Sequence, residues 1–177
     1  MITSAEDFRS MSMSPSMPLL LAAMALGLVL PSAQARAEAT ETLYSLETRC
    51  SVAGGEPEPC VVEATKDAEG TTYRHTIGER PDTVSITVRI TDAPVRMRVW
   101  DAAKNTWTPL SSAAARFSTN TICFNGRDLC AVNANYLNSV REERPEATAG
   151  RDLVQVRFDE SGRVDLTCYD DGCKEVR

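Results

Sequence analysis

Residues 121–132 read Thr-Ile-Cys-Phe-Asn-Gly-Arg-Asp-Leu-Cys-Ala-Val. Two short apolar runs flank an Asn-Gly pair, with a cysteine on each side. Asn-Gly between apolar runs is a strong hairpin signal, because both residues accept positive φ. If Phe124 faces Leu129 across Asn125-Gly126-Arg127-Asp128, then Cys123 and Cys130 face each other on adjacent strands. The reading is a pinned β-hairpin. Around it, five asparagines fall between positions 120 and 138, and the chain's other one is Asn105.

The same alternation runs outward in both directions. Thr83 to Ile90 is the clearest strand: Val84, Ile86, Val88 and Ile90 point one way, and Thr83, Ser85, Thr87 and Arg89 the other. Asp92-Ala93-Pro94 turns the chain, and Val95, Met97 and Val99 then oppose Arg96, Arg98 and Trp100. Upstream, strands are expected at Tyr44–Cys50, Cys60–Ala64 and Thr71–Ile77, separated by Gly54-Gly55 and Asp67–Gly70 turns. Downstream, Val154, Val156 and Phe158 pair through Asp159–Gly162 with Val164, Leu166 and Cys168. Two short helices are expected. Thr108-Pro109 reads as a cap and first turn leading into Ser111–Arg116, and Asn135 reads as the cap of a helix carrying Tyr136, Leu137 and Val140. Residues 142–150 read as a loose connection. The fold class is all-β: an antiparallel β-barrel or sandwich of about 9–10 strands with one or two short helices.

The N-terminal part has a different character. Residues 17–30 form an uncharged apolar run of fourteen, followed by Pro31 and small residues at Ala33, Ala35 and Ala37. A spanning helix needs about 20 apolar residues, so the run fits the centre of an export signal instead. Residues 1–37 are expected to be a signal peptide and 38–177 a single β domain, with cleavage after Ala37. One feature departs from the pattern: Glu6 and Asp7 outweigh Arg9 before the run, and a start at Met11 or Met13 would remove both acids. Loss of 1–37 takes away two acids and two bases (Glu6, Asp7, Arg9, Arg36), so the net charge stays at −6. An acidic exported domain is poorly suited to nucleic acid or anionic lipid.

All six cysteines lie after the signal: Cys50, Cys60, Cys123, Cys130, Cys168 and Cys173. An even count behind an export signal implies a disulfide framework. Six cysteines allow about 15 connectivities. The simplest has three local staples, 50–60, 123–130 and 168–173, because each pair brackets a turn-like sequence. The spacings match neither a Cys-x-x-Cys metal knuckle nor a redox pair, and His75 is the single histidine, so no metal and no cofactor is expected.

Residues 116–140, including Asn-Tyr-Leu-Asn-Ser-Val at 135–140, resemble small exported proteins of cyanobacteria without assigned function; 90–100 resemble them more loosely. The resemblance implies a bacterial host and a lumenal or periplasmic address. It carries over no catalytic residue.

Chemistry-bearing constellations are sparse. No Gly-x-Ser-x-Gly occurs, and His75 alternates with Tyr73 and Ile77 as a half-buried strand residue would. The acidic pairs sit in turns and lack the alternating ligands of a calcium loop. Two recognition features stand out. Arg89, Arg96 and Arg98 fall on the polar faces of consecutive strands beside Trp100, a stripe suited to a carboxylate, a phosphate or an acidic peptide. Arg127, Asn133 and Asn135 form an amide-rich patch beside a disulfide. The expected function is therefore an exported, non-catalytic β-domain that binds a protein partner or supports assembly in the periplasm, a thylakoid lumen or the extracellular space. The alternatives are a barrel around a small apolar ligand and a hydrolase built on carboxylates.

Overall fold

A computed structural model describes residues 40–176 apart from Ala93. The expected signal peptide, 1–37, lies outside the described residues.

Twelve strands form one antiparallel sheet. They are β1 (Glu41–Val52), β2 (Glu58–Asp67), β3 (Gly70–Ile77), β4 (Val84–Asp92), β5 (Val95–Asp101), β6 (Thr106–Pro109), β7 (Ser112–Arg116), β8 (Thr121–Phe124), β9 (Leu129–Val132), β10 (Leu153–Phe158), β11 (Val164–Tyr169) and β12 (Gly172–Glu175). Their order in the sheet is β12-β11-β10-β7-β8-β9-β1-β2-β3-β4-β5-β6. The helices α1 (Ala134–Glu143) and α2 (Pro145–Thr148) lie between β9 and β10. The fold is all-β, as expected from the period-two runs. The ladder is not closed, because β6 and β12 are its end strands. A closed barrel is thus not formed by the hydrogen bonds.

Three expectations need correction. The expected helix at 111–116 is not formed: Ser112–Arg116 is a strand. The three alanines have high helix propensity, but β7 is held on both sides: Ala115 pairs with Ile122 of β8 and Val154 of β10. Sheet pairing on two edges outweighs a propensity of a few tenths of a kcal/mol per residue. The cap of α1 is Asn133, not Asn135; its side-chain oxygen accepts from the Tyr136 amide at 3.1 Å. Residues 142–150 are not wholly irregular, since Pro145 opens α2 at the first-turn position where its missing N–H costs nothing. The added strands β7 and β12 account for most of the excess over the expected count.

β1 decides the shape. It pairs with β2 along most of its length, while its last three residues, Cys50–Val52, also pair with β9. The inward faces then meet: Val62, Ala64, Tyr73, Ile77, Val88, Ile90 and Met97 share one core with Ala113, Ile122, Phe124, Leu129 and Phe158. Leu137 of α1 is fully buried. His75 on β3 meets Phe124 on β8 edge-on, with ring centroids 6.4 Å apart. The sheet therefore folds over on itself around an apolar interior, which is the dominant stabilising term for such a domain.

The three local disulfides form as the hairpin geometry predicts: Cys50–Cys60, Cys123–Cys130 and Cys168–Cys173. Two of them join residues directly opposite in register, Cys123 with Cys130 and Cys168 with Cys173. Phe124 does face Leu129. Asn125 and Gly126 take φ of +48° and +73°, as the Asn-Gly turn requires. Three disulfides fit an oxidising, exported compartment. Among the described residues, no helix is long and apolar enough to cross a membrane.

Candidate functional site

The outward face of β4, β5 and β6 is where the sequence-predicted arginines meet. Period two puts Arg89 on β4 and Arg96 and Arg98 on β5 on the face opposite Val88, Ile90 and Met97, which are buried. Register then aligns them: Arg89 stands directly across from Arg98, and Thr91 across from Arg96. Trp100 stands across from Trp107 of β6, their rings edge-to-face at 5.3 Å. Glu69, Arg89, Thr91, Arg96, Arg98 and Trp107 line a surface groove of about 150 Å³. The sequence reading placed Trp100 beside the arginines. Trp107, across from Trp100, lines the groove and was missed because only cross-strand register reveals it.

Like charges directly opposite on a sheet repel. Arg89 is relieved from inside the protein. Its guanidinium donates to Asp67 Oδ1 at 2.6 Å and to Glu69 Oε2 at 3.2 Å. Asp67 is well fixed, because the same oxygen accepts from the Glu69 and Gly70 amides at 2.9 and 3.2 Å. The Arg89 guanidinium, ahead of these amides, holds the Asp67 carboxyl below its ordinary value. Among the described residues, neither the Arg96 nor the Arg98 side chain has a hydrogen-bond or ion-pair partner. The groove thus pairs one anchored guanidinium with two unengaged ones, beside an indole wall. Planar guanidinia of this kind bind carboxylates bidentately and stack on aromatic faces.

The asparagine patch resolves into separate roles. Asn133 is buried, and its side-chain oxygen also accepts from the Tyr44 hydroxyl at 3.2 Å. Burial raises the Tyr44 pKa, and the bond to Asn133 partly offsets this. Asn133 therefore ties α1 to β1 inside the fold, and its amide is not presented at the surface. Asn125 serves the hairpin loop, its side chain accepting from the Ser111 amide at 2.8 Å. Arg127 and Asn135 are exposed. Neither lines the arginine groove.

His75 is 1% exposed. Its Nδ1–H donates to the Ile86 carbonyl at 3.2 Å. Burial pushes its pKa down to about 4, against the weaker opposing pull of its hydrogen bonds. The ring is neutral near pH 7 and is walled in by Tyr73, Ile90, Ile122, Phe124, Asn133 and Tyr136 around a cavity of about 10 Å³. That space barely admits one water, whereas small-molecule sites occupy a few hundred Å³ (roughly 300–1,000). The interior around His75 is filled by side chains. Among the described residues, no cluster of three or more His, Cys, Asp or Glu is placed to hold a metal.

No family model, characterised protein or solved structure significantly matches the chain. Its functional reading rests on its own residues.

Proposed function

We propose that this chain is an exported, disulfide-stapled β-domain that docks an acidic segment of another protein on the outward face of β4–β6. Residues 1–37 direct export on this reading, and 38–177 form the functional unit in an oxidising compartment outside the cytoplasm. One observation carries it: Arg89, Arg96 and Arg98 share a groove with Trp107, and among the described residues the side chains of the last two arginines have no hydrogen-bond or ion-pair partner. Holding three guanidinia together on one sheet face, with two unsatisfied, costs stability that an acidic partner would recover. The acidic balance of the rest of the chain favours discrimination, since a partner's carboxylates are repelled elsewhere and attracted here.

The test is affinity capture from an extract of the protein's own host, with wild type and the Arg96→Ala/Arg98→Ala variant as baits. Wild type should retain a specific partner that the variant loses, and recovery should fall as salt rises. Equal recovery by both baits would remove the groove from the reading.

A further inference from the structure

We propose that Glu69 is a built-in occupant of the arginine groove, and that the ligand of this site is a carboxylate on an extended partner segment which displaces it. This rests on the groove being a docking site. The two carboxylates on Arg89 differ in kind. Asp67 is 28% exposed and is held by two backbone amides as well as by Arg89. Glu69 is 82% exposed, touches Arg89 at 3.2 Å, and has no other side-chain bond among the described residues. Exposed pairs of that type contribute little and exchange readily. Yet Glu69 lines the same groove as Arg96 and Arg98. Its carboxylate marks where an incoming one would sit, with Asp67 keeping Arg89 in place after Glu69 leaves.

The groove also sets the shape of the segment. Arg96 and Arg98 are two apart on β5, so their side chains emerge on one face about 7 Å from each other. An extended peptide with acids at alternate positions presents carboxylates at the same repeat. Arg89, directly opposite Arg98, widens the cationic end of the groove, and Trp107 supplies an apolar wall for the methylenes of a glutamate.

The probe is a fluorescein-labelled dodecapeptide of alternating Glu and Ser, read by anisotropy on the purified protein, with a Gln-Ser peptide as control. The Glu peptide should bind and the Gln peptide should not. Arg96→Gln and Arg98→Gln should each weaken binding about tenfold, as loss of a charge-assisted contact does. Glu69→Gln should tighten it about two- to fivefold, the range expected for releasing an exposed ion pair. Glu175→Gln, on the far end strand of the sheet, should change nothing. If the arginine variants weaken binding but Glu69→Gln does not tighten it, the groove stands and the competitor role falls. Tightening by Glu175→Gln to the same degree would reduce Glu69 to a net-charge effect and overturn that role. If wild type does not bind, or if binding ignores both arginines, both readings fall together. Displacement of the peptide by equimolar inorganic phosphate would make the groove a simple anion site and sink the extended segment.

Discussion

Lowering the pH from 7 to 4.5 should destabilise this domain through one side chain. His75 is enclosed by β2, β4, β8 and α1 residues that bring no carboxylate to its ring; its register partners are Val62 and Ile86, and Phe124 and Asn133 line its far side. In the unfolded chain it takes up a proton near 6.5, and in the folded chain only near pH about 4. Between those values the unfolded state binds one more proton, so stability rises with pH across that window and is lost on acidification. At about 1.4 kcal/mol per pH unit the full gap amounts to about 3 kcal/mol, and about three fifths of it should be gone by pH 5. That is a large share of the 5–15 kcal/mol typical of a domain. The pKa values of Asp67, Asp101, Asp152 and Asp159 are lowered by their hydrogen bonds, so the stability they contribute is lost only below about pH 4 and leaves the window clear. Because the chain has one histidine, its imidazole resonance needs no assignment. It should stay in the neutral position down to about pH 5 while guanidinium midpoints fall over the same range. His75→Gln should flatten that fall. An imidazole that titrates between 6 and 7 in the folded protein would refute both the burial and the sign.

Two further substitutions probe the frame that holds the groove and the helix. Asn133→Ala should cost about 1–2 kcal/mol in chemical unfolding by removing the α1 cap, whereas Asn135→Ala should be near neutral; the reverse ranking would restore Asn135 as the cap. At Gly70, the β2–β3 turn brings the backbone against the Ile90 carbonyl oxygen, so an added Cβ collides with it. Gly70→Ala should lose about 1–3 kcal/mol and weaken the Asp67 support of Arg89, and a thermal midpoint unchanged from wild type would contradict that close approach.

Local signals in the chain were faithful where the physics is local. The alternation at 83–90 specified β4 and its two faces, because period two leaves a single way to bury Val88 and Ile90. The Asn-Gly hairpin and its disulfide were legible for the same reason. So was the placement of Arg89, Arg96 and Arg98 on one outward face. What escaped depended on partners distant in sequence. Ala113–Ala115 look helical until β10, about 40 residues later, is seen to pair with them. Asn133 looked like surface amide chemistry until Tyr44, 89 residues away, proved to be its second partner. The link from Arg89 to the Asp67–Glu69 turn crosses β3, and spacing along the chain carries no trace of it.

The double duty of β1 bears on how the chain must be made. Cys50 pairs with Ala131, so one side of β1's end can find its neighbour only after some eighty further residues exist. A chain made N-terminus first exposes that strand edge, Cys50–Val52, for all of that time. Unpaired edges of this kind template wrong pairings between chains. The neighbouring β2 is available almost at once, and the Cys50–Cys60 staple can lock it there. The vulnerable interval is therefore the wait for β9, and crowding of nascent chains before β9 is made should harm yield more than heating the finished protein does.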